Sequence, residues 1–331
     1  MRKLASIQRV VDVQRHPNAD KLDIIRVLGW NLVAKRDQFN VGDLCCYIEL
    51  DSVLPEKPEF EFLRARSFRV KTIRLRGTIS QGIAFSLNEV LPVGGFVEGD
   101  DVTELIGVKK YVHPLELTTG GDAIGNFPHF IPQTDETRIQ SVPTVLERHR
   151  GLTFALTEKM EGCSSTYAVY NNEFYVCGRT QRLADKPNSL YWHVAHKLEI
   201  EKRLRAEGFN VAIQGEIVGP KVQGNWYELA ELDLRVFNYF DIDKYQYANC
   251  RDLATLVNNR LGLKTVPHVG DIVLDHSVDQ LVTLATIKST VKPDKWAEGC
   301  VFRPVEEQRD IELGRLSFKV INPEYLLTKH D

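Results

Sequence analysis

Short β-prone runs separated by turn-forming residues occupy the first hundred residues of this 331-residue chain. The runs cover residues 7–13, 23–27, 31–35, 44–48 and 73–75. The turn-forming groups are His16-Pro17-Asn18-Ala19-Asp20, Val41-Gly42-Asp43 and Arg76-Gly77. Proline, glycine, asparagine and aspartate favour turns because they adopt or tolerate the backbone angles that turns require. Several short strands at this spacing are typical of a small barrel, so residues 1–110 are predicted to form a β-barrel module.

Strand-like and helix-like patterns alternate in the second half of the chain, which indicates an α+β domain. Two β-prone runs, 166–170 and 173–178, flank Asn171-Asn172 and predict a hairpin. Apolar residues at helical spacing predict a helix over 189–207, ended by Gly208. Residues 111–132 are rich in glycine, proline and threonine and are predicted to be a linker. The second domain is therefore predicted to span residues 133–331.

The net charge of the chain does not indicate nucleic-acid binding, because its 42 Lys and Arg residues are balanced by 45 Asp and Glu residues. Contact with a polyanion would have to come from a local basic surface. One basic stretch lies in the first module and contains Arg64, Arg66, Arg69, Lys71, Arg74 and Arg76. It is either such a surface or an ordinary solvated one.

No run of 18 apolar residues and no apolar signal segment is present. We therefore expect a soluble, intracellular protein without a membrane partner. The six cysteines include no C-x-x-C pair, and we expect them to be reduced thiols that neither pair nor bind metal.

Lys159-Met160-Glu161-Gly162 directly follows an apolar, strand-like run. A lysine at such a strand end can act as a nucleophile toward a nucleotide α-phosphate and form a lysine–nucleotide phosphoramidate. A four-residue pattern can arise by chance, so its weight depends on what accompanies it along the chain.

Five further elements accompany the lysine, in a fixed order. An arginine at a hairpin end can bind phosphate. A carboxylate or a lysine inside an apolar strand needs a partner, such as a ribose hydroxyl, a hydrated metal or a phosphate. An aromatic side chain can stack on a purine. Alone, each would more often be a surface charge or a core aromatic. The elements are Arg179, Glu216 within Gln214-Gly215-Glu216, Phe237 or Phe240, Glu298-Gly299 with Val301, and Lys319.

In this order the elements resemble motifs I, III, IV and V of the covalent nucleotidyltransferase superfamily, which comprises DNA ligases, RNA ligases and mRNA capping enzymes. Thr134-Asp135-Glu136-Thr137-Arg138-Ile139-Gln140 is similar to the T-D-E-x-R-x-Q segment of ATP-dependent RNA ligases. His16-Pro17-Asn18-Ala19-Asp20-Lys21-Leu22 resembles the opening of OB-fold tRNA-binding modules. A leading OB module, with only ten residues after 321, is similar to the layout of the Deinococcus/Naegleria-type clade, the fifth RNA ligase family. The chain is identified as a member of that family.

The resemblance implies an OB-like barrel that binds nucleic acid, followed by an ATP-grasp-like α+β adenylyltransferase domain with antiparallel sheets. Lys159 is implied as the nucleophile that becomes Lys–AMP. Glu161, Glu216 and Glu298 are implied to hold a catalytic Mg²⁺ or Mn²⁺ through water. The remaining implied contacts to ATP, AMP or the 5′-phosphate are Glu158, Arg138, Arg179, Phe240 with Phe237 as the second choice, Val301 and Lys319.

The implied function is ATP-dependent sealing of 3′-OH and 5′-phosphate ends, in nicked duplexes with an RNA 3′-OH strand. We expect the enzyme to be a monomer. A DNA ligase, a capping-type nucleotidyltransferase and a non-catalytic nucleic-acid-binding protein with a decayed transferase domain are the alternatives. Two residues depart from the family pattern. Ser317 stands where many relatives have a first motif V lysine, whose role is lost or moved to Arg315. Glu161 stands where many relatives have aspartate.

Overall fold

The computed structural model describes residues 3–111 and 122–329, and the chain divides into two units. The first unit contains Met1–His113, Ile139–Pro143 and Leu326–Asp331, and the second contains Pro114–Arg138 and Thr144–Tyr325. The predicted linker, residues 111–132, lies partly outside the described residues. The domain boundaries proposed from the sequence, at residues 110 and 133, stay a prediction.

The first unit is built mainly of short strands. They are β1 Ala5–Arg15, β2 Leu22–Val27, β3 Trp30–Lys35, β4 Leu44–Ile48, β5 Ser52–Val53, β6 Arg69–Val70, β7 Ile73–Leu75, β8 Thr78–Ser80, β9 Ile83–Ser86 and β10 Lys109–Lys110. Two short helices, α1 Leu87–Val90 and α2 Thr103–Ile106, and 3₁₀ helices at Pro58–Arg66 and Ile139–Ser141 complete the unit.

Five of these strands form an antiparallel sheet in the order β3-β2-β1-β4-β9. The long strand β1 pairs with β4 through its first half and with β2 through its second half, with an irregularity between Val10 and Asp12. Such a bulge bends a strand and lets it serve two parts of a curved sheet. Ile7, Trp30 and Ile48 are almost fully buried beneath the sheet. The predicted β-rich, OB-like N-terminal module is confirmed.

The second unit contains fifteen named strands within the described residues. They are β11 Ala123–Asn126, β12 Thr137–Arg138, β13 Thr153–Glu158, β14 Cys163–Tyr170, β15 Glu173–Cys177, β16 Gln181–Leu183, β17 Val211–Val218, β18 Asp233–Asp241, β19 Gln246–Tyr247, β20 Lys264–Thr265, β21 His268–Val273, β22 Gly299–Pro304, β23 Arg309–Asp310, β24 Gly314–Arg315 and β25 Phe318–Ile321. The helices that follow α2 in the chain are α3 Thr144–Arg148, α4 Leu190–Lys197, α5 Ile200–Arg205, α6 Cys250–Ala254, α7 Val278–Ala285 and α8 Pro323–Lys329, and a π-helical turn covers Thr255–Arg260.

Two larger sheets organise this unit. One runs β11-β16-β15-β14-β17-β18-β19 with β20 beside β18, and the other runs β12-β25-β22-β13-β21. All pairings in both are antiparallel except β12 with β25 and β18 with β20. Tyr167, Ile213 and Val236 are buried in the core of the first sheet. The predicted α+β domain with antiparallel sheets is confirmed.

The single helix predicted over residues 189–207 is wrong, because the structure has two helices there. Helix α4 ends at Lys197, and Glu199 adopts a left-handed φ of 49° before α5 begins. The guanidinium of Arg203 donates to the carbonyl oxygens of Leu198 at 2.7 Å and Leu261 at 2.5 Å. A side-chain donor thus satisfies the carbonyl that the break leaves without its helical partner.

Across residues 3–111 and 122–329, no helix combines the length and the apolar character that crossing a membrane requires.

Candidate active site

Lys159 lies directly after strand β13, in the connection to β14. Its backbone N–H donates to the Gly299 carbonyl at 2.9 Å, which ties the lysine to the start of β22. Its Nζ lies 2.7 Å from the Glu298 Oε1. The lysine and its carboxylate partner are therefore brought together by neighbouring strands of one sheet.

Two glycines allow the backbone to pack closely around the lysine. A Cβ on Gly162 would lie 2.2 Å from the Ile217 carbonyl oxygen of β17. A Cβ on Gly299 would lie 2.1 Å from the Val320 carbonyl oxygen, and Gly299 has a φ of +146°. Because real Cβ atoms do not approach so closely, only glycine fits either position. The glycines of the motif I and motif IV segments thus fix the spacing between strands at the site.

The charge state of Lys159 reflects its acidic surroundings. Burial alone would lower the pKa of its ammonium group, but Glu298, Glu216 and Glu136 together raise that pKa above its ordinary value. The side chain is therefore a protonated ammonium in the ligand-free protein at neutral pH. An ammonium is not a nucleophile, so attack on phosphorus requires the loss of this proton.

The pKa of Glu216 on β17 is also raised, which for a carboxyl group favours the neutral form. Burial, with the negative charges of Glu298 and Glu136, raises the pKa of its carboxyl group to about 8, although Lys159 and Arg179 act to lower it. Crowded carboxylates of this kind are stabilised by a cation, and hard divalent cations prefer oxygen ligands. Glu216 and Glu298 therefore fit a divalent cation.

The predicted three-glutamate metal site is not assembled as a direct ligand set. Across the described residues, no group of three or more His, Cys, Asp or Glu side chains has the geometry to hold a metal ion. The carboxylate of Glu161 accepts a hydrogen bond from the Tyr325 hydroxyl, and its backbone N–H donates to the Tyr227 hydroxyl at 2.7 Å. These contacts are compatible with the predicted contact through water.

Basic side chains gather around Asp135. One carboxylate oxygen of Asp135 lies 2.7 Å from Arg179, and the other lies 3.2 Å from the Lys319 Nζ. Arg138 on β12 is the parallel neighbour of Lys319 on β25. Burial is the main reason why the pKa of Lys319 falls below its ordinary value, and the charges of Lys159 and Arg138 add to this. This cluster can receive a phosphate group.

A buried ion pair lies beside this basic cluster. The Arg303 guanidinium donates to Glu136 at 2.6 Å, to the Ser317 hydroxyl at 3.1 Å and to the Phe237 carbonyl at 2.9 Å. Burial would raise the pKa of Glu136, but Arg303 outweighs it and lowers that pKa to about 2. Ser317, which stands in place of a lysine, therefore acts here as a hydrogen-bonding partner of a buried arginine.

Arg315 was suggested as the replacement for the first motif V lysine, but its side chain contacts a different set of residues. Its guanidinium forms an ion pair with Glu307 and donates to the Asn238 side-chain oxygen at 2.8 Å. The same group stacks on the Tyr247 ring at 3.7 Å. These three contacts hold Arg315 in a polar network, so its role as a substitute lysine gains no support from the geometry.

The two candidate stacking aromatics lie in different clusters. Phe240 is buried and packs on the rings of Tyr245 and Tyr247. Phe237 is the residue left unpaired by the irregular register of β17 and β18, and it packs against the apolar cluster that contains Met160, the neighbour of Lys159. Phe237 thus lies in the same cluster as a residue of the lysine motif, and which of the two aromatics stacks on adenine stays a prediction. Val301 is adjacent to Lys319 across β22 and β25.

Glu158 is buried and fully engaged with the protein. Its carboxylate accepts hydrogen bonds from the Ser289 hydroxyl at 2.5 Å and from the Thr290 hydroxyl and backbone N–H at 2.7 and 2.9 Å. Its carboxylate therefore anchors the segment before β22. Its contact with a nucleotide stays a prediction.

A sequence model of the RNA ligase family matches residues 152–321, which includes most of the residues described above. The chain belongs to the RNA ligase family. A second model, described as an OB-fold domain, matches residues 4–87. Together the two models imply a nucleic-acid substrate for this RNA ligase. Among curated proteins, no sequence matched the chain.

Solved structures of Naegleria gruberi RNA ligase are similar to this RNA ligase over nearly its whole length. A lysine-to-alanine mutant of that protein with ATP and Mn has 31% sequence identity and a TM-score of 0.90, with 98% of this chain and 99% of that chain covered. The same protein with PPi also has 31% identity and a TM-score of 0.90, with 99% of each chain covered. A lysine-to-methionine mutant with AMP and Mn has 31% identity and a TM-score of 0.89, with 99% of each covered. The predicted Naegleria-type RNA ligase is confirmed.

Several residues of the RNA ligase site were not assigned roles from the sequence. Asp135 and Glu136 were visible within the T-D-E segment, but their ion pairs with Arg179, Lys319 and Arg303 depend on the pairing of distant strands. The tyrosines that bind Glu161 stand far along the chain from it, at positions 227 and 325. No sequence pattern connects these two tyrosines to the lysine motif.

Proposed function

We propose that this chain seals RNA ends with ATP through an AMP group carried covalently on the Lys159 Nζ. The observation that supports this proposal most directly is the 2.7 Å contact between Lys159 and Glu298, together with the basic cluster around Asp135. The family match supports RNA ligation, and the ATP and AMP named for the Naegleria relative support the nucleotide.

Lys159 acts first as a nucleophile. Its Nζ attacks the α-phosphorus of ATP, a nitrogen–phosphorus bond forms, and the bond to pyrophosphate breaks. Lys319 and Arg138 would hold the α-phosphate, and Phe237 would stack on the adenine. Lys159 must give up its proton in this step. Glu298 is its direct partner and thus the group that would control that proton.

The activated AMP then passes to the nucleic acid. An oxygen of a 5′-phosphate attacks the lysine-bound phosphorus, the nitrogen–phosphorus bond breaks, and an A(5′)pp(5′)N end forms. The neighbouring 3′-OH attacks this end, a phosphodiester bond forms, and AMP leaves. Arg179 would bind the 5′-phosphate, because a guanidinium matches the geometry of phosphate oxygens.

Glu216 and Glu298 would hold a divalent Mg²⁺ or Mn²⁺, with Glu161 contacting its water shell. When bound, this cation supplies positive charge that neutralises the phosphates and offsets the carboxylates that raise the pKa of Lys159. The raised pKa of Glu216 fits this role, because a carboxyl group that ionises poorly alone ionises readily beside a cation.

Substitution of Lys159 tests the proposal. With ATP labelled at the α-phosphate and Mn²⁺, wild-type protein should acquire covalent label, and Lys159→Ala should acquire none. Lys202→Ala removes an exposed lysine of α5 and should be labelled like wild type. Full labelling of Lys159→Ala would contradict the assignment, and labelling by GTP but not ATP would indicate a capping-type enzyme.

The requirement for a ribonucleotide 3′-OH end is tested with a matched set of nicked duplexes. We expect sealing when the 3′-OH strand ends in ribonucleotides, and loss of sealing when its terminal sugars are deoxyribose. Equal sealing of both ends would indicate a general polynucleotide ligase, and preference for deoxyribose would indicate a DNA ligase.

A further inference from the structure

The hairpin of β7 and β8 in the first unit ends in an unusual turn. Leu75 pairs with Thr78, so Arg76 and Gly77 alone form the connection. Their φ values are +48° and +93°, which is the pattern of a type I′ turn. Asparagine and glycine suit the first position, whereas arginine is disfavoured there because its Cβ crowds the backbone. The geometry of the turn therefore does not explain why arginine occupies position 76.

Two residues of the His16-Pro17-Asn18 segment hold this turn. The His16 Nδ1 accepts a hydrogen bond from the Asn18 backbone N–H at 3.1 Å. In the neutral ring the proton is then on Nε2, which donates to the Leu75 carbonyl oxygen at 3.2 Å. The Asn18 side-chain amide donates to the Arg76 carbonyl oxygen at 3.2 Å. Hydrogen bonds thus hold the carbonyl groups of Leu75, which precedes the turn, and of Arg76, its first residue.

The other end of the hairpin is fixed to strand β3. The Ser80 hydroxyl accepts a hydrogen bond from the Val33 N–H at 3.0 Å, and the Gln81 N–H donates to the Asn31 carbonyl at 2.9 Å. A hairpin that is bound at its tip and at its base presents its exposed side chains at a fixed position.

Two arginines of the basic stretch near this hairpin are ion-paired within the protein. Arg64 forms ion pairs with Glu56 and Glu61, and Arg69 pairs with Asp51. Arg76 is exposed at the tip, and its side chain makes no hydrogen bond or ion pair with any residue in the described ranges. Arg74 is exposed on β7 and donates to the Gly77 carbonyl at 3.3 Å.

We propose that the β7–β8 turn contacts the backbone phosphates of the RNA duplex, with Arg76 as the contact residue and His16 and Asn18 as positioning residues. The proposal rests on the proposed function, because that function supplies the RNA. A guanidinium at an exposed, rigid tip can bind phosphate oxygens in two-point fashion. The match of residues 4–87 to an OB-fold domain includes the whole hairpin.

Binding of the full-length protein to a fluorescein-labelled nicked RNA duplex tests this assignment. Affinity is measured by anisotropy over a range of salt concentrations. Arg76→Ala should weaken binding by roughly 5-fold to 10-fold at about 0.1 M salt and reduce the slope of log affinity against log salt by about 1, because one phosphate contact is lost. Arg64→Ala is the matched control and should change neither value. An unchanged slope for Arg76→Ala, or an equal loss for Arg64→Ala, would overturn the proposal.

A double-mutant cycle tests the positioning role. Asn18→Ala should weaken binding in the wild-type background but cause no further loss in the Arg76→Ala background, because both changes remove the same contact. Additive losses would mean that Asn18 acts only through general stability.

Labelling by ATP, measured on the same wild-type preparation, separates the two proposals. Wild-type protein that takes label but binds duplex independently of Arg76 overturns the hairpin alone. Wild-type protein that takes no label overturns the proposed function.

Discussion

The pKa values of Lys159 and Glu216 are both raised, and the two shifts have opposite effects on the charge of the side chain. The ammonium is held charged by three glutamates, while the Glu216 carboxyl is held partly neutral, with a pKa of about 8. Burial is the main cause of the raised pKa of Glu216, and neighbouring carboxylates add to it, whereas carboxylates raise the pKa of Lys159 against the effect of burial. Binding of a cation at this site should therefore ionise the Glu216 carboxyl and lower the pKa of the Lys159 ammonium group toward its ordinary value.

Binding of Mn²⁺ should release protons in a pH-dependent manner. At pH 7 the Glu216 carboxyl is largely protonated, since its pKa is about 8, and a bound cation favours the ionised form. We expect release of up to roughly one proton at pH 7, and little at pH 9, where the carboxyl is already ionised. Calorimetry in buffers of different ionisation enthalpy measures this number.

Glu216→Gln provides the control for that measurement, because glutamine cannot ionise. Proton release by this variant should be much smaller at pH 7 than that of wild type. Equal release at the two pH values in wild type would contradict the raised pKa of Glu216.

The hairpin of β23 and β24 is attached to helix α3 by one buried carboxylate. Asp310 accepts hydrogen bonds from Arg148 at 2.9 and 3.0 Å and from the backbone N–H groups of Glu312 and Leu313 at 2.8 and 3.0 Å, and it lies 2.8 Å from the His149 Nε2. The Arg148 hydrogen bonds are the largest cause of a pKa far below the ordinary value. Ionisation of Asp310 is thus coupled to this contact between elements.

Asp310→Asn should destabilise the protein by about 2–4 kcal/mol near pH 7, because buried donors lose a charged acceptor. The folded-state pKa of Asp310 is depressed, so its stabilising effect is present above its unfolded-state pKa and declines as the pH falls toward the folded value. The difference in unfolding free energy between wild type and variant should therefore shrink below about pH 4.

Urea unfolding at several pH values measures that difference. Glu312→Gln, which changes an exposed carboxylate of the same hairpin, should cost less than about 1 kcal/mol. A constant difference between wild type and Asp310→Asn down to pH 2 would contradict the depressed pKa.

The bounds of an element were predicted well from the sequence where neighbouring residues alone determine them. Strands β4 and β7 have the predicted bounds, because turn residues flank short apolar runs. The break between α4 and α5 depends on Arg203, whose guanidinium binds carbonyls at Leu198 and Leu261. The second carbonyl is distant in sequence, so apolar periodicity alone could not indicate the break.

Contacts between residues distant in sequence also explain why some residues of the site were not assigned roles from the sequence. Lys159, Glu216 and Glu298 were identified because they lie in ordered motifs. The partners of Asp135 and Glu136 depend on which strands pair, and β12 pairs with a strand about 180 residues later. A single sequence contains no local signal for such pairing.

At the scale of the whole molecule, the first unit is not a continuous segment. Residues Ile139–Pro143 belong to it although they follow part of the second unit in the chain. The Gln140 carbonyl accepts from the Gly29 N–H at 2.8 Å, and the Ser141 hydroxyl donates to Glu49 at 3.1 Å. A cut near residue 110 therefore removes the partners of a segment that remains.

Deletion of residues 1–110 should spare covalent labelling by ATP but strongly reduce sealing of a nicked duplex. Labelling requires the residues around Lys159, which all lie in the second unit, whereas duplex binding is proposed for the first unit. Labelling and sealing are measured on the same preparation. A truncated protein that seals nicks at the wild-type rate would contradict the proposed role of the first unit.

Because the remaining residues 139–143 lose their partners, the truncated protein should also melt at a lower temperature. A thermal scan with and without ATP separates this loss of stability from a loss of nucleotide binding.

The pairing of Asp135 with both Arg179 and Lys319 affects how these two cations bind anions from solution. The protein supplies its own anion to these two cations, so an incoming phosphate must compete with a tethered carboxylate. Simple anions such as sulfate face the same competitor, so we expect them to bind these two cations more weakly than they would without Asp135. A ligand that also offers a base, a sugar and several phosphates makes contacts beyond these two cations, so it should displace the Asp135 carboxylate more readily than a simple anion does.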